Sequence, residues 1–194
     1  SGAVARALGS RDLVRAGSIL RSAVFIALFG GAVMGALVSI FGPTFFYWVG
    51  ARDDVLAAAN AYARIIFFGI PLVWLFNMMC SVLRGAGAMT RSALAMGSVV
   101  IVYSALGFWL IPEQGAVNST TEVMTIAAYI LLASYGIGIV TVFNLILLPG
   151  QPVRFRGFWV DWSVVTALLR SGLLAGTQST ATIVYSLIAT GLIG

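Results

Sequence analysis

The sequence predicts an all-α protein, a polytopic bundle of membrane-spanning helices. Three observations carry this. Hydrophobic residues make up 60% of the 194 positions and charged residues 9%, a composition outside the range of soluble globular domains. The apolar residues are gathered into five charge-free stretches, Ser22 to Ala51, Ile65 to Leu83, Ser92 to Pro112, Val123 to Val153 and Ser171 to Gly194. Each is about as long as the roughly 17–25 residues with which a helix crosses a bilayer. Finally, nine of the eleven arginines fall in alternate gaps between these stretches. Arginine in short loops marks the cytoplasmic side, so the chain is expected to begin in the cytoplasm, cross five times and end outside, in the inner membrane of a cell.

The segment Ser1 to Arg21 reads as the end of one helix, a turn near Gly9-Ser10, and an amphipathic lead-in whose Arg15 and Arg21 snorkel to the headgroups. In the first span, Gly31 and Gly35 form a GxxxG pair. Such a pair either lets two helix backbones approach closely or reflects the general frequency of glycine in membrane helices. Phe45, Phe46, Tyr47 and Trp48 close the span as an aromatic belt. Asp53 and Asp54 then suit the amide-rich start of the second membrane helix, as caps and as partners of its dipole. Arg64 stands about three turns inside that helix, either snorkelling to the interface or facing a wet interior.

The second span carries Gly69 and Pro71, where a missing N–H frees a carbonyl and favours a kink. Asn77 and Ser81 follow four residues apart on one face; they either line a substrate passage or bond a neighbouring helix. Tyr103 lies in the third span. The fourth holds Tyr135, Gly136, Gly138, Thr141 and Asn144 before Pro149-Gly150 ends it. Residues 151–170 mix Phe155, Phe158, Trp159 and Trp162 with arginines, the pattern of a helix lying in the interface. This stretch is the expected linker between two bundles. The fifth span is the most polar and includes Gln178.

No enzymatic constellation is present. There is no histidine, all six carboxylates fall in loops or interfaces, and Cys80 is the only cysteine, so neither an internal disulfide nor a His/Cys metal site is expected. The net charge of +5 is explained by topology, and no basic run suggests nucleic acid.

The inner loop Leu83-Arg84-Gly85-Ala86-Gly87-Ala88-Met89-Thr90-Arg91 resembles the "LRGxGxxxR/T" element of the multidrug and toxic-compound extrusion (MATE) family. Ala5 to Asp12 looks like that family's "alGagd" loop, and Leu168 to Gly172 with Gln178 looks like the start of its seventh helix. The resemblance implies an internal fragment of a twelve-helix, two-bundle transporter. Residues 1–150 would hold the end of helix two and helices three to six, 151–170 the linker, and 171–194 the first helix of the second bundle. It further implies a monomeric, full-length antiporter exporting organic cations or drug-like small molecules by alternating access, driven by Na+ or H+. Asn77, Ser81, Tyr103 and Gln178 become candidate cavity residues, and Arg84, Gly85, Gly87 and Arg91 the loop motif. This chain departs from the family pattern where an Asn and an Asp stand in helix five, having Tyr103 and Gly107 there, and has Leu174 in place of a helix-seven proline. A lipid-linked saccharide flippase of the same superfamily and a non-transporting membrane scaffold are the other readings.

Overall fold

The computed structural model describes residues 2–48, 52–111, 120–148, 160–173 and 177, and among these it contains helices and no strand. The helices are α1 (Gly2–Gly9), α2 (Leu13–Trp48), α3 (Asp53–Gly85), α4 (Met89–Leu110) and α5 (Thr120–Leu147). A further helical segment covers residues 162–173. Helices α2 to α5 are each long and apolar enough to cross a membrane. At 36 residues, α2 is about 54 Å long and overshoots a roughly 30 Å hydrocarbon core. The lead-in and the first span are therefore one helix. The fifth predicted span and Gln178 lie outside the described residues, apart from the turns up to 173 and Thr177. The segment over 162–173 runs without a break across the predicted linker boundary at 170.

Short connections force neighbouring helices antiparallel, so the arginine-bearing ends meet. The ends are closed by local chemistry. Asp12 caps α2, its carboxylate accepting the Arg15 amide N–H at 2.8 Å. After α1, Arg11 adopts φ 58°, and the N–H groups of Arg11 and Asp12 bond the carbonyls of Leu8 and Ala7 at 3.0 and 2.9 Å. After α3, Gly87 adopts φ 79°, and Gly87 and Ala88 bond Arg84 and Leu83 at 3.1 and 2.9 Å. Both are Schellman turns, in which a left-handed residue lets two orphan carbonyls of the last turn find donors.

At the opposite end, α3 begins differently from expectation. Its N-cap is Arg52, which makes no side-chain cap bond, while Asp53 is already helical in sequence position and stands at φ 44°. Arg52 instead closes the turn backwards: it donates to the Tyr47 carbonyl at 2.7 Å and lies 4.0 Å from the Tyr47 ring centroid. A cation at the carboxyl end of α2 suits the dipole.

α3 is the hub, with its most extensive packing against α2 on one side and α5 on the other. Small residues make both interfaces. A Cβ on Gly31 would lie 2.7 Å from Pro71 Cα, and one on Gly35 would strike the Phe67 carbonyl oxygen. The GxxxG pair is thus a close-approach site. Because Pro71 has no N–H, the Phe67 carbonyl lacks its usual helical donor. Gly35 turns a Cα–H towards that oxygen, a weak substitute. On the other side, Leu132 of α5 fills the space over Gly69, and Val99 and Phe76 crowd Gly138.

Candidate functional site

Two clusters of predicted residues can be followed upward from their elements. The first is the α3–α4 loop. Arg84 sits in the last turn of α3 and donates from Nη1 to Ser92 Oγ at 3.1 Å and to Met96 Sδ at 3.6 Å. The Ser92 hydroxyl, fully buried, donates in turn to the Cys80 carbonyl at 3.2 Å. Arg91 reaches across to the Leu145 carbonyl in the last turn of α5 at 3.4 Å. The loop motif therefore staples the ends of three helices. Its glycines have distinct uses: Gly87 supplies the left-handed turn, while Gly85 is buried in the final turn of α3. Beneath it lies a core of Phe76, Met79, Cys80 and Leu83 from α3, Ala95 and Val99 from α4, and Val142 and Ile146 from α5. Phe76 meets Tyr135 edge-on at 5.5 Å between centroids. Cys80, buried here as a free thiol, is a packing residue.

The second group of predicted residues is divided between two helices, Asn77 and Ser81 on α3 and Tyr103 on α4. Asn77 is exposed, and its amide donates back to the Val73 carbonyl at 2.8 Å. That bond stays within its own helix and leaves the amide oxygen as a further acceptor. Ser81 is half-buried one turn on, and Tyr103 on α4 is exposed. Gly69 and Pro71 lie in an α3 that continues as one helix through both; their observed role is close packing, against Leu132 and Gly31 respectively.

Sequence reasoning gave little weight to two features. Arg64 lies roughly 16 Å along α3 from Asp53, exposed on the same stripe as Phe68 and Leu72. The start of α2 and the segment over 162–173 are also tied together: Ser22 Oγ donates to the Asp161 carbonyl at 3.5 Å, and Phe25 meets Trp162 edge-on at 5.5 Å. The aromatic and arginine residues of 151–170 were the available signal, but nothing in their spacing says which helix they dock on.

A model of the family described as MatE matches residues 1–110. The chain belongs to the MatE family. MatE proteins are membrane transporters and not enzymes, in keeping with the lack of catalytic residues in the sequence. The chain is 26% identical over 140 residues to the probable multidrug resistance protein YoeA of Bacillus subtilis, covering 68% of this chain and 30% of that protein. It is 27% identical over 103 residues to the multidrug export protein MepA of Staphylococcus saprophyticus, covering 51% of this chain and 22% of that one.

Among solved structures, the chain matches the inward-facing conformation of a multidrug resistance MATE family transporter of the MOP superfamily. The TM-score is 0.78 at 23% identity, covering 88% of this chain and 38% of that chain. It also matches a MOP superfamily transporter from Pyrococcus furiosus, described as having a binding pocket of reverse polarity that suggests a different function. There the TM-score is 0.77 at 23% identity, covering 89% of this chain and 37% of that chain. The chain thus spans about a third or less of the curated relatives it matches, and the α1–α5 arrangement is the MATE fold over that part.

Proposed function

We propose that this chain is part of a cation-coupled antiporter that exports organic cations or drug-like compounds by alternating access. The observation that carries this is the MatE match over residues 1–110, joined to relatives named for multidrug resistance and export. The polar residues Asn77, Ser81 and Tyr103, with Gln178, line the substrate passage in this reading. The arginine-rich ends of α1 to α5 face the cytoplasm, since arginine in short loops is retained there. In the sequence every carboxylate falls outside the five charge-free stretches. A carboxylate that binds the coupling Na+ or H+ therefore belongs to the remainder of the transporter.

The test uses the full-length transporter in liposomes loaded with a cationic dye. Dye movement should follow an imposed Na+ or H+ gradient, and its independence of both gradients would refute the antiport reading. Single cysteines at 77, 81, 103 and 178 in a Cys80→Ala background should react with a membrane-impermeant maleimide, whereas Cys80 itself should stay unreactive.

Arg64 favours one second reading, a flippase for lipid-linked saccharides. A guanidinium within a span and no carboxylate there suits an anionic substrate. Transport of a phosphate-linked lipid in preference to the cationic dye, abolished by Arg64→Gln, would select it.

A further inference from the structure

A cavity of about 360 Å³ opens at the arginine-rich end, between α1, the start of α2 and the helical segment over 162–173. Its volume is at the small end of the ligand-pocket range. Arg6 and Arg15 line it, together with the hydroxyl-bearing residues Ser10, Ser163 and Ser171. Ile19 and Leu168 supply an apolar wall. The cavity joins two stretches that the sequence sets far apart, the lead-in to the first span and the linker to the second bundle.

The charge balance inside it is positive. The two carboxylates nearby are committed to helix starts and do not line the cavity. Asp12 accepts the Arg15 amide. Asp161 accepts both the N–H and the hydroxyl of Ser163, at 2.9 and 2.7 Å, and these bonds, with a smaller contribution from the Arg15 charge, hold its carboxyl below the usual range. The hydroxyl protons of Ser10 and Ser171 are also spent, on Ala7 and Ala167 carbonyls at 3.0 Å each. Recognition is therefore left to two guanidiniums, whose forked donors match phosphate oxygens.

We propose that this cavity binds a phosphate-ester anion, supplied by the headgroup of an anionic glycerophospholipid. The source is argued from the apolar residues in and beside its lining. Ile19 and Leu168 form its apolar wall. Leu13, Val14, Trp162 and Leu173, each within two residues of a lining residue in sequence, are 58, 83, 65 and 72% exposed, so that acyl chains have apolar side chains to meet where a phosphate enters between the arginines. Basic pockets between membrane helices bind anionic headgroups in this way. A lipid held there bridges α1 and α2 to the helical segment that leads into the second bundle. It would thereby bias the relative position of the bundles.

The test is native mass spectrometry and thermal melting of the full-length transporter, with phosphatidylglycerol, phosphatidylcholine or inorganic phosphate added. Phosphatidylglycerol should bind and raise the melting temperature, phosphatidylcholine should not, and Arg6→Gln/Arg15→Gln should weaken the binding at least tenfold. Arg11→Gln/Arg170→Gln, which removes the same charge outside the cavity, should leave it within twofold. Equal losses in the two double variants would reduce the effect to diffuse surface charge and overturn the proposal. Retained binding in Arg6→Gln/Arg15→Gln would also overturn it. Stabilisation by millimolar inorganic phosphate without lipid binding would overturn the lipid source. Should the first double variant not fold, Ala167→Leu fills the cavity and keeps both arginines; undiminished lipid binding there would count equally against the site.

Discussion

Replacing Gly31 or Gly35 with alanine tests the close approach of α2 and α3 most directly. At Gly31 the new methyl would sit 2.7 Å from Pro71 Cα and 3.1 Å from Pro71 N. Both are backbone atoms and cannot swing aside. Restoring an ordinary contact of 3.4 Å requires the helices to part locally by about 0.7 Å, and overpacking of this kind costs about 1–3 kcal/mol. At Gly35 the methyl strikes the Phe67 oxygen, which already lacks a helical donor because residue 71 is proline. Each change also adds helix propensity worth about 1 kcal/mol, which must be separated from the clash. Gly97→Ala does so, since a Cβ there meets nothing within 4 Å. In full-length protein unfolded reversibly in mixed micelles, Gly97→Ala should be neutral or stabilising by about 1 kcal/mol. Gly31→Ala and Gly35→Ala should fall about 1–3 kcal/mol below it, and Gly35→Leu should fail to pack. If all three alanine variants melted alike, the close-approach argument would be refuted.

The two Schellman turns make a mirrored pair of expectations. Arg11→Gly should raise stability by about 1 kcal/mol and Gly87→Ala should lower it by a similar amount, because each exchanges a glycine with a side-chain residue at positive φ; both are read by thermal melting. Ser92→Ala should cost about 1–3 kcal/mol, because it removes the acceptor of Arg84 and the donor to Cys80 in a buried position. Increased hydrogen exchange at the start of α4 should accompany it. Ser18→Ala should be neutral or stabilising, since the buried Ser18 hydroxyl has no hydrogen-bond partner among the described residues. Finally, the Asp161 carboxyl has its pKa lowered in the fold, so its cap on the segment over 162–173 should be at full strength at neutral pH. Amide protection in that segment should fall as the pH drops through the acidic range below the ordinary carboxylate value, and Asp161→Ala should abolish this dependence.

Much of the helix layout was legible because charge placement is one-dimensional information. Arginines flank the apolar stretches and mark where they begin and end, though Arg21 and Arg64 lie well inside α2 and α3, and each of α2 to α5 runs through one of the charge-free stretches. The turn at Gly9-Ser10 and the loop at Gly87 were legible for a similar reason, since left-handed residues and short polar breaks act locally. The start of α3 was less so. Asp53 and Asp54 have the chemistry of caps, but the backbone enters the helix at Arg52, whose guanidinium is drawn back to Tyr47.

What the sequence by itself determined is the class: a membrane helix bundle, its crossing segments, and the motifs that point to MATE transporters. Those follow from the solvent, because a bilayer forces apolar length and backbone satisfaction on each helix separately. Which helices touch, and through which residues, was decided only in three dimensions. GxxxG gave two readings until Gly35 was seen against the carbonyl that Pro71 leaves without a donor. Arg6 and Arg15 were topology markers until residues 162–173 folded back beside them and made a cavity. Contacts between segments depend on shape and partner. A pattern along one chain does not specify them, and so the tertiary structure turned charges placed for orientation into the lining of a cavity.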